Sequence, residues 1–153
     1  QINWLTDNFV VYHQFGMHEE NRGTCEEKAK ELSGSRYTGQ AFFTQEQLLK
    51  IYSLSPVVLG RAGAGTINDI ACFGLSSVLV PLESSAGGEQ KSNAEFLLSN
   101  GAALVVHQKE FDSKKAKQAL LNAYVTREKT GMNISALLEF DIKTINKILD
   151  FYL

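Results

Sequence analysis

Val57-Val58-Leu59-Gly60-Arg61-Ala62-Gly63-Ala64-Gly65-Thr66-Ile67-Asn68-Asp69-Ile70-Ala71-Cys72-Phe73-Gly74 is the stretch that decides the fold. Residues 57–59 are a continuous apolar run, the pattern of a strand covered on both faces in a parallel sheet. A turn over 60–66 follows. The spacing of Ile67, Ile70 and Ala71 then predicts a helix over 67–73, ended by Gly74. Toward the C-terminus the cycle repeats. Residues 78–80, with Pro81, read as a buried strand, 83–88 as a polar loop, 90–99 as a helix stopped by Gly101, 103–107 as a strand and 113–125 as a helix. Two more helical stretches, 134–140 and 142–151, close the chain. Toward the N-terminus, Ile2, Trp4 and Leu5 read as the tail of a helix, 9–12 as a strand, 25–32 as a helix stopping at Ser33-Gly34, and 36–43 as the region of a short strand. Thr44 caps a further helix, with Gln47 reaching back as in a capping box. Strands alternating with helices predict an α/β fold: a Rossmann-like, doubly wound, mostly parallel sheet, with 1–153 as a single domain.

Composition narrows the function. A chain of 153 residues, 44% hydrophobic and 21% charged with no low-complexity block, is expected to fold throughout and to bury roughly 68–70% of its unfolded surface. A net charge of -2 creates no basic field of the kind that gathers nucleic acid, so no nucleic-acid partner is expected. Cys25 and Cys72 lie far apart without ligand-spaced neighbours, which suits free thiols in a reducing compartment, with neither disulfide nor metal. No apolar run approaches the ~20 residues of a membrane span and no signal peptide opens the chain, so a cytoplasmic location is expected. The start at Gln1, within an apparent helix tail, reads as a piece of something longer.

In parallel sheets of this kind, ligands sit beyond the carboxyl ends of the strands. That directs attention to Arg61 through Thr66, where strand meets helix and free N–H groups attract anions. The glycines Gly63 and Gly65 allow a close approach of backbone to phosphate, with Arg61 adding a charge-assisted contact; a merely tight turn would show the same composition. Asp69 has two readings, a carboxylate favoured by a helix N-terminus or an acceptor for ribose hydroxyls. Glu89 and Gln90 either bind sugar hydroxyls or belong to a solvated loop. Asn93 either bonds backbone locally or joins a site. His13 and Gln14, at the end of the first strand, are crevice candidates. His18 and His107 have no Ser or Cys partner in a recognisable motif, no catalytic residue is identifiable, and Lys114, Lys115 and Lys117 read as the solvated face of a helix.

Arg61 through Gly74, Val80-Pro81-Leu82, Glu89-Gln90-Lys91-Ser92-Asn93-Ala94 and Asn100-Gly101-Ala102-Ala103, in this order and spacing, strongly resemble the C-terminal domain of the MurG family. The resemblance runs from about His13-Gln14 and Gly16 to Gln108, and more loosely to the end. It implies the C-terminal half of a GT-B glycosyltransferase, holding the donor UDP-N-acetylglucosamine. On this pattern Arg61, Gly63, Ala64, Gly65 and Thr66 lie by the diphosphate and ribose. Asp69 stands where the family usually has a ribose-binding Glu, and Glu89-Gln90 where it has Gln-Gln or His-Gln reading the sugar. Phe42 and Phe43 fall on the segment whose backbone recognises uracil.

The implied activity is inverting transfer of N-acetylglucosamine to the undecaprenyl-pyrophosphoryl-muramyl-pentapeptide lipid of peptidoglycan synthesis. It needs no cofactor. The lipid acceptor and peripheral contact with the cytoplasmic face of the inner membrane would come through an N-terminal acceptor domain that this sequence lacks, as it lacks the Gly-Gly-Ser-Gln-Gly loop that the resemblance places before residue 1 within this domain. Alternatives are another UDP-sugar transferase of the same architecture, or a non-catalytic interaction domain that kept the fold.

Overall fold

The computed structural model describes residues 2–32 and 34–137. The helix expected at 142–151, the end of that expected at 134–140, and Ser33 lie outside the described residues. Residues 1–53 and 54–153 form two compact units.

The first unit contains α1 (Ile2–Asn8), β1 (Val11–Gln14), α2 (Glu19–Glu31), β2 (Tyr37–Gln40) and α3 (Gln45–Leu54). β1 and β2 pair in parallel, Val11 opposite Tyr37 and Gln14 opposite Gln40. β1 starts two residues later than the apolar run predicts. Phe9 instead finishes the first helix: its N–H donates to the Leu5 carbonyl at 2.7 Å, and its ring meets Trp4 edge-on at 5.9 Å. α2 begins six residues before the expected start at Cys25, because residues 19–24 hold no apolar side chain to show a helical period. β2 is confined to the centre of the expected stretch, and α2 packs on it. Gly39 permits that packing, since a Cβ there would meet the Tyr37 ring at 2.8 Å and Ala29 at 3.1 Å. The capping box of α3 is present in both directions. Thr44 N–H donates to Gln47 Oε1 at 2.8 Å, and Gln47 N–H to Thr44 Oγ1 at 3.3 Å.

The second unit contains β3 (Val57–Gly60), α4 (Ala64–Phe73), β4 (Ser76–Leu79), α5 (Glu89–Ser99), β5 (Leu104–Val105) and α6 (Ser113–Val125), with a further helix, α7, over 127–137. The sheet order is β3-β4-β5 and every pairing is parallel. β4 is buried at each position, as a central strand under helices should be. The buried apolar residues of this unit include Ile70, Ala94, Leu97, Ala103, Leu120, Ala123 and Ile134. α4 ends at Gly74, whose φ of +61° puts it in the left-handed cap conformation; its N–H reaches the Ala71 carbonyl and Leu75 N–H that of Ile70. α7 starts seven residues ahead of the expected 134. It crosses the ends of α4 and α5: the bare Cα of Gly131 sits against the Gly74 carbonyl, and Asn133 Nδ2 donates to Gly101 O at 2.9 Å.

Two adjacent serines on β4 have opposite situations. Ser76 Oγ donates to the Ala123 carbonyl at 3.0 Å, in the last turn of α6 where carbonyls lack helical partners. Ser77 Oγ is buried with no hydrogen-bond partner. Ser76→Ala should therefore lower stability by about 1–3 kcal/mol, whereas Ser77→Ala should be neutral or stabilising. Urea unfolding of the two variants checks this, and equal losses would contradict it.

Candidate functional site

At the carboxyl end of β3, Gly60 O accepts the Val80 N–H at 2.8 Å, carrying the parallel pairing one residue beyond β4. The chain then turns through Arg61, Ala62 and Gly63 into α4. Ala62 is wholly buried, and its carbonyl accepts from Asn93 Nδ2 at 3.1 Å. Arg61 is exposed at its side chain, with Nη1 donating to Val80 O at 3.0 Å and to Gln108 Oε1 at 2.9 Å. Gly63 occupies the N-cap with φ −74° and ψ 154° and offers no side-chain cap; the first helical bond runs from Ile67 N–H to Gly63 O. The N–H groups of Ala64, Gly65 and Thr66 have no partner among the described residues.

The backbone of this turn is not one that requires glycine. A tight turn uses glycine for positive φ, yet none of Gly60, Gly63 and Gly65 has it. A Cβ on Gly63 or Gly65 would meet nothing within 4 Å, so no neighbour requires their bareness. What it does leave is an uncovered helix N-terminus with three free donors, an arrangement suited to an anionic oxygen cluster.

α4 begins at Ala64, three residues earlier than expected, because Ala64-Gly65-Thr66 carry the helix before its apolar period starts. Asp69 therefore lies in the second turn rather than the first. This corrects the helix-terminus reading of Asp69: the favourable charge–dipole effect is confined to the first turn.

The loop after β4 is held by its own side chains. Gln90 Oε1 accepts the Leu82 N–H at 3.0 Å, and Gln90 N–H donates to Ser85 Oγ at 3.3 Å. Gly87 and Gly88, at φ +62° and +71°, make the turn into α5. Glu89 is exposed at the first position of that helix, where its carboxylate is favoured by the N-terminus. The structure thus ties Arg61 to Gln108 and the adjacent Ala62 to Asn93, and ties Gln90 into the neighbouring loop. It leaves the Glu89 carboxylate without a hydrogen bond among the described residues, while the Glu89 N–H donates to the Ala86 carbonyl. Gln108 was missed in the sequence, although it directly follows the predicted strand 103–107 at the end where ligands bind.

In the first unit, Gln14 Oε1 accepts the Phe43 N–H at 2.9 Å. Phe43 is buried and Phe42 exposed; the Phe42 main chain carries no hydrogen bond among the described residues. His13 is half-buried. Its Nδ1 and the Tyr37 hydroxyl share a 2.7 Å hydrogen bond, and its ring meets Phe15 and Tyr37 edge-on.

The family of glycosyltransferase family 28 C-terminal domains matches residues 2–148. The chain belongs to this family. A UDP-N-acetylglucosamine--N-acetylmuramyl-(pentapeptide) pyrophosphoryl-undecaprenol N-acetylglucosamine transferase from Aquifex aeolicus is 37% identical over 108 residues, covering 71% of this chain and 31% of that protein. The protein of the same name from Treponema denticola is 36% identical over 112 residues, covering 69% and 28%. The crystal structure of Acinetobacter baumannii MurG superposes with a TM-score of 0.61 at 26% identity, over 82% of this chain and 36% of that one. A glycotransferase of kitacinnamycin, at 15% identity and TM-score 0.57, shares the fold. The chain spans about a third of the length of the curated relatives it matches. The fold of this family 28 domain is Rossmann-like, that of the C-terminal half of GT-B glycosyltransferases.

Burial lowers the His13 pKa from 6.5, because a partly desolvated imidazole resists protonation. The unfolded chain then binds this proton more readily than the folded one. The contribution of His13 to stability is complete above pH 6.5 and is lost as pH falls through the folded-state value. An NMR titration of the imidazole should give a midpoint below 6.5, and His13→Gln should flatten the fall of unfolding temperature over that window. A midpoint at or above 6.5 would mean that burial does not govern the protonation of this ring.

Proposed function

We propose that residues 1–153 serve as one nucleotide-sugar-binding domain, the donor half of an inverting hexosyltransferase. Its donor is UDP-N-acetylglucosamine and its acceptor the undecaprenyl-pyrophosphoryl-muramyl-pentapeptide lipid of peptidoglycan synthesis. The observation that carries this reading is the uncapped N-terminus of α4, with three free N–H groups beside a positively charged Arg61, in a chain of family 28. The names of the relatives from Aquifex aeolicus and Treponema denticola supply the sugar, the nucleotide and the lipid acceptor.

In this role Arg61, Gly63, Ala64, Gly65 and Thr66 hold the diphosphate, and Asp69 accepts hydrogen bonds from ribose hydroxyls. Glu89 and Gln90 face the sugar; with Gln90 Oε1 engaged by Leu82, its amide NH2 is the group left to donate to a hydroxyl. In the first unit, the Phe42 main chain is the uracil reader, while Gln14 and the buried Phe43 fix its loop. Asn93 and His13 act as supports, through Ala62 and Tyr37. The reaction is displacement of UDP by an acceptor hydroxyl. Positive charge and fixed N–H dipoles stabilise the charge that gathers on the departing diphosphate, without covalent catalysis or a cofactor. The acceptor and the peripheral contact with the cytoplasmic face of the membrane belong to the rest of the protein; no helix among the described residues is long and apolar enough to cross a bilayer.

Calorimetric titration of the chain with UDP-N-acetylglucosamine, UDP-glucose and UDP tests the proposal. Tightest binding of the N-acetylglucosamine donor is expected. Preference for UDP-glucose would reassign the sugar, and no binding of any of the three would leave a fold without this ligand. Asp69→Ala should weaken UDP binding by about 1.5–3 kcal/mol with the unfolding transition intact, as loss of hydrogen bonds to a charged acceptor predicts. Unchanged affinity would remove Asp69 from the site.

A further inference from the structure

Arg61 is anchored by two neutral oxygens. Its Nη1 donates to the Val80 carbonyl at 3.0 Å and to Gln108 Oε1 at 2.9 Å, so both hydrogens of that nitrogen are used. The guanidinium has five N–H donors and does not lose its proton in proteins. Its Nε and Nη2 have no partner among the described residues. Gln108 opens the short turn Gln108–Glu110, and a carboxylate stands on the same turn at Glu110. That carboxylate is engaged elsewhere, by Lys115 Nζ at 3.0 Å, and Arg61 forms no ion pair among the described residues. A carboxylate in place of Gln108 would orient Arg61 equally well and cancel its charge; an amide orients it and leaves the charge intact.

We infer that Gln108 is a positioning residue, holding Arg61 against the Val80 carbonyl with its full positive charge so that its remaining donors serve a diphosphate. The inference rests on the proposed donor role. Gln108 does not touch the ligand in this scheme and acts through Arg61. Its amide is exposed, so replacing it leaves the buried core unchanged.

UDP titrations of the unchanged chain, Gln108→Glu and Gln108→Ala across a range of salt concentrations provide the test. Gln108→Glu keeps an acceptor at the same position but neutralises Arg61. Its affinity for UDP should fall about tenfold or more, with a flatter dependence on salt. Gln108→Ala should lose less and keep the salt dependence, since the charge survives while its orientation loosens. If Gln108→Glu binds as tightly as the unchanged chain, with the same salt response, Gln108 is only a structural tie and the inference is overturned while the donor role stands. If the unchanged chain does not bind UDP, the donor role fails and the inference with it. Thermal unfolding of each variant separates loss of affinity from loss of fold.

Discussion

Main-chain polar groups at the carboxyl end of a buried parallel sheet have no further strand to pair with, and in the second unit neutral side-chain amides take up that burden. Asn93 holds the carbonyl of the buried Ala62, Gln90 holds the N–H of Leu82, and Gln108, with Val80 O, holds Arg61. Asn93 and Gln108 belong to a helix and a turn that follow a different strand from the one whose loop they fix, whereas Gln90 fixes the loop that leads into its own helix. A buried carbonyl or N–H left alone costs about 1–3 kcal/mol, so these bonds place the loops as well as stabilise them. The first unit repeats the device, with Gln14 at the end of β1 taking the N–H of Phe43.

The choice of amides has an electrostatic consequence. A carboxylate could have accepted from the Leu82 N–H or from Arg61, though it could not have donated to the Ala62 carbonyl as Asn93 does, and it would have added a negative charge to these loops. The three free N–H groups at the N-terminus of α4 and the charge on Arg61 make that end attractive to anions only while no carboxylate is paired with them. Glu110, on the same turn as Gln108, is paired with Lys115 instead. Glu89 is exposed at the start of α5, where a carboxylate is stabilised by the N-terminus of its own helix.

Much of this was legible in the sequence where periodicity or punctuation was strong. The apolar run at 57–59, the stop at Gly74, the capping box at Thr44 and Gln47, and the helix from Ser113 to Val125 all hold in the structure. Boundaries shifted where the signal was compositional. Residues 19–24 are helical without an apolar residue, and Phe9 ends a helix although an apolar run around it reads as strand. The site was legible as a set of loops, because the carboxyl ends of parallel strands are given by topology alone. Its internal division of labour was not. Gln14 reads from the sequence as a crevice candidate, and Gln90 and Asn93 as either ligand groups or local structure; in the structure an end of each is bonded to backbone, and a sequence shows that an amide is present but not which of its two ends is engaged.

The same geometry bears on how a donor site of this kind would contribute to rate as well as to affinity. Only interactions that strengthen between ground state and transition state accelerate a reaction. In displacement of UDP, negative charge grows on the diphosphate as the bond to the sugar breaks, so donors already fixed at that position gain strength without having to reorganise. The N–H groups of Ala64, Gly65 and Thr66 are fixed by α4 itself, whose entry is held by Asn93 through Ala62. Arg61 is fixed by Val80 and Gln108. A flexible lysine in place of Arg61 would bring the same charge but would lose side-chain entropy on binding, at the step where the charge is needed. The rigidity supplied by the amides therefore belongs to the proposed chemistry as much as to the fold: with the amides weakened, the same residues would still bind the diphosphate but would stabilise its departure less.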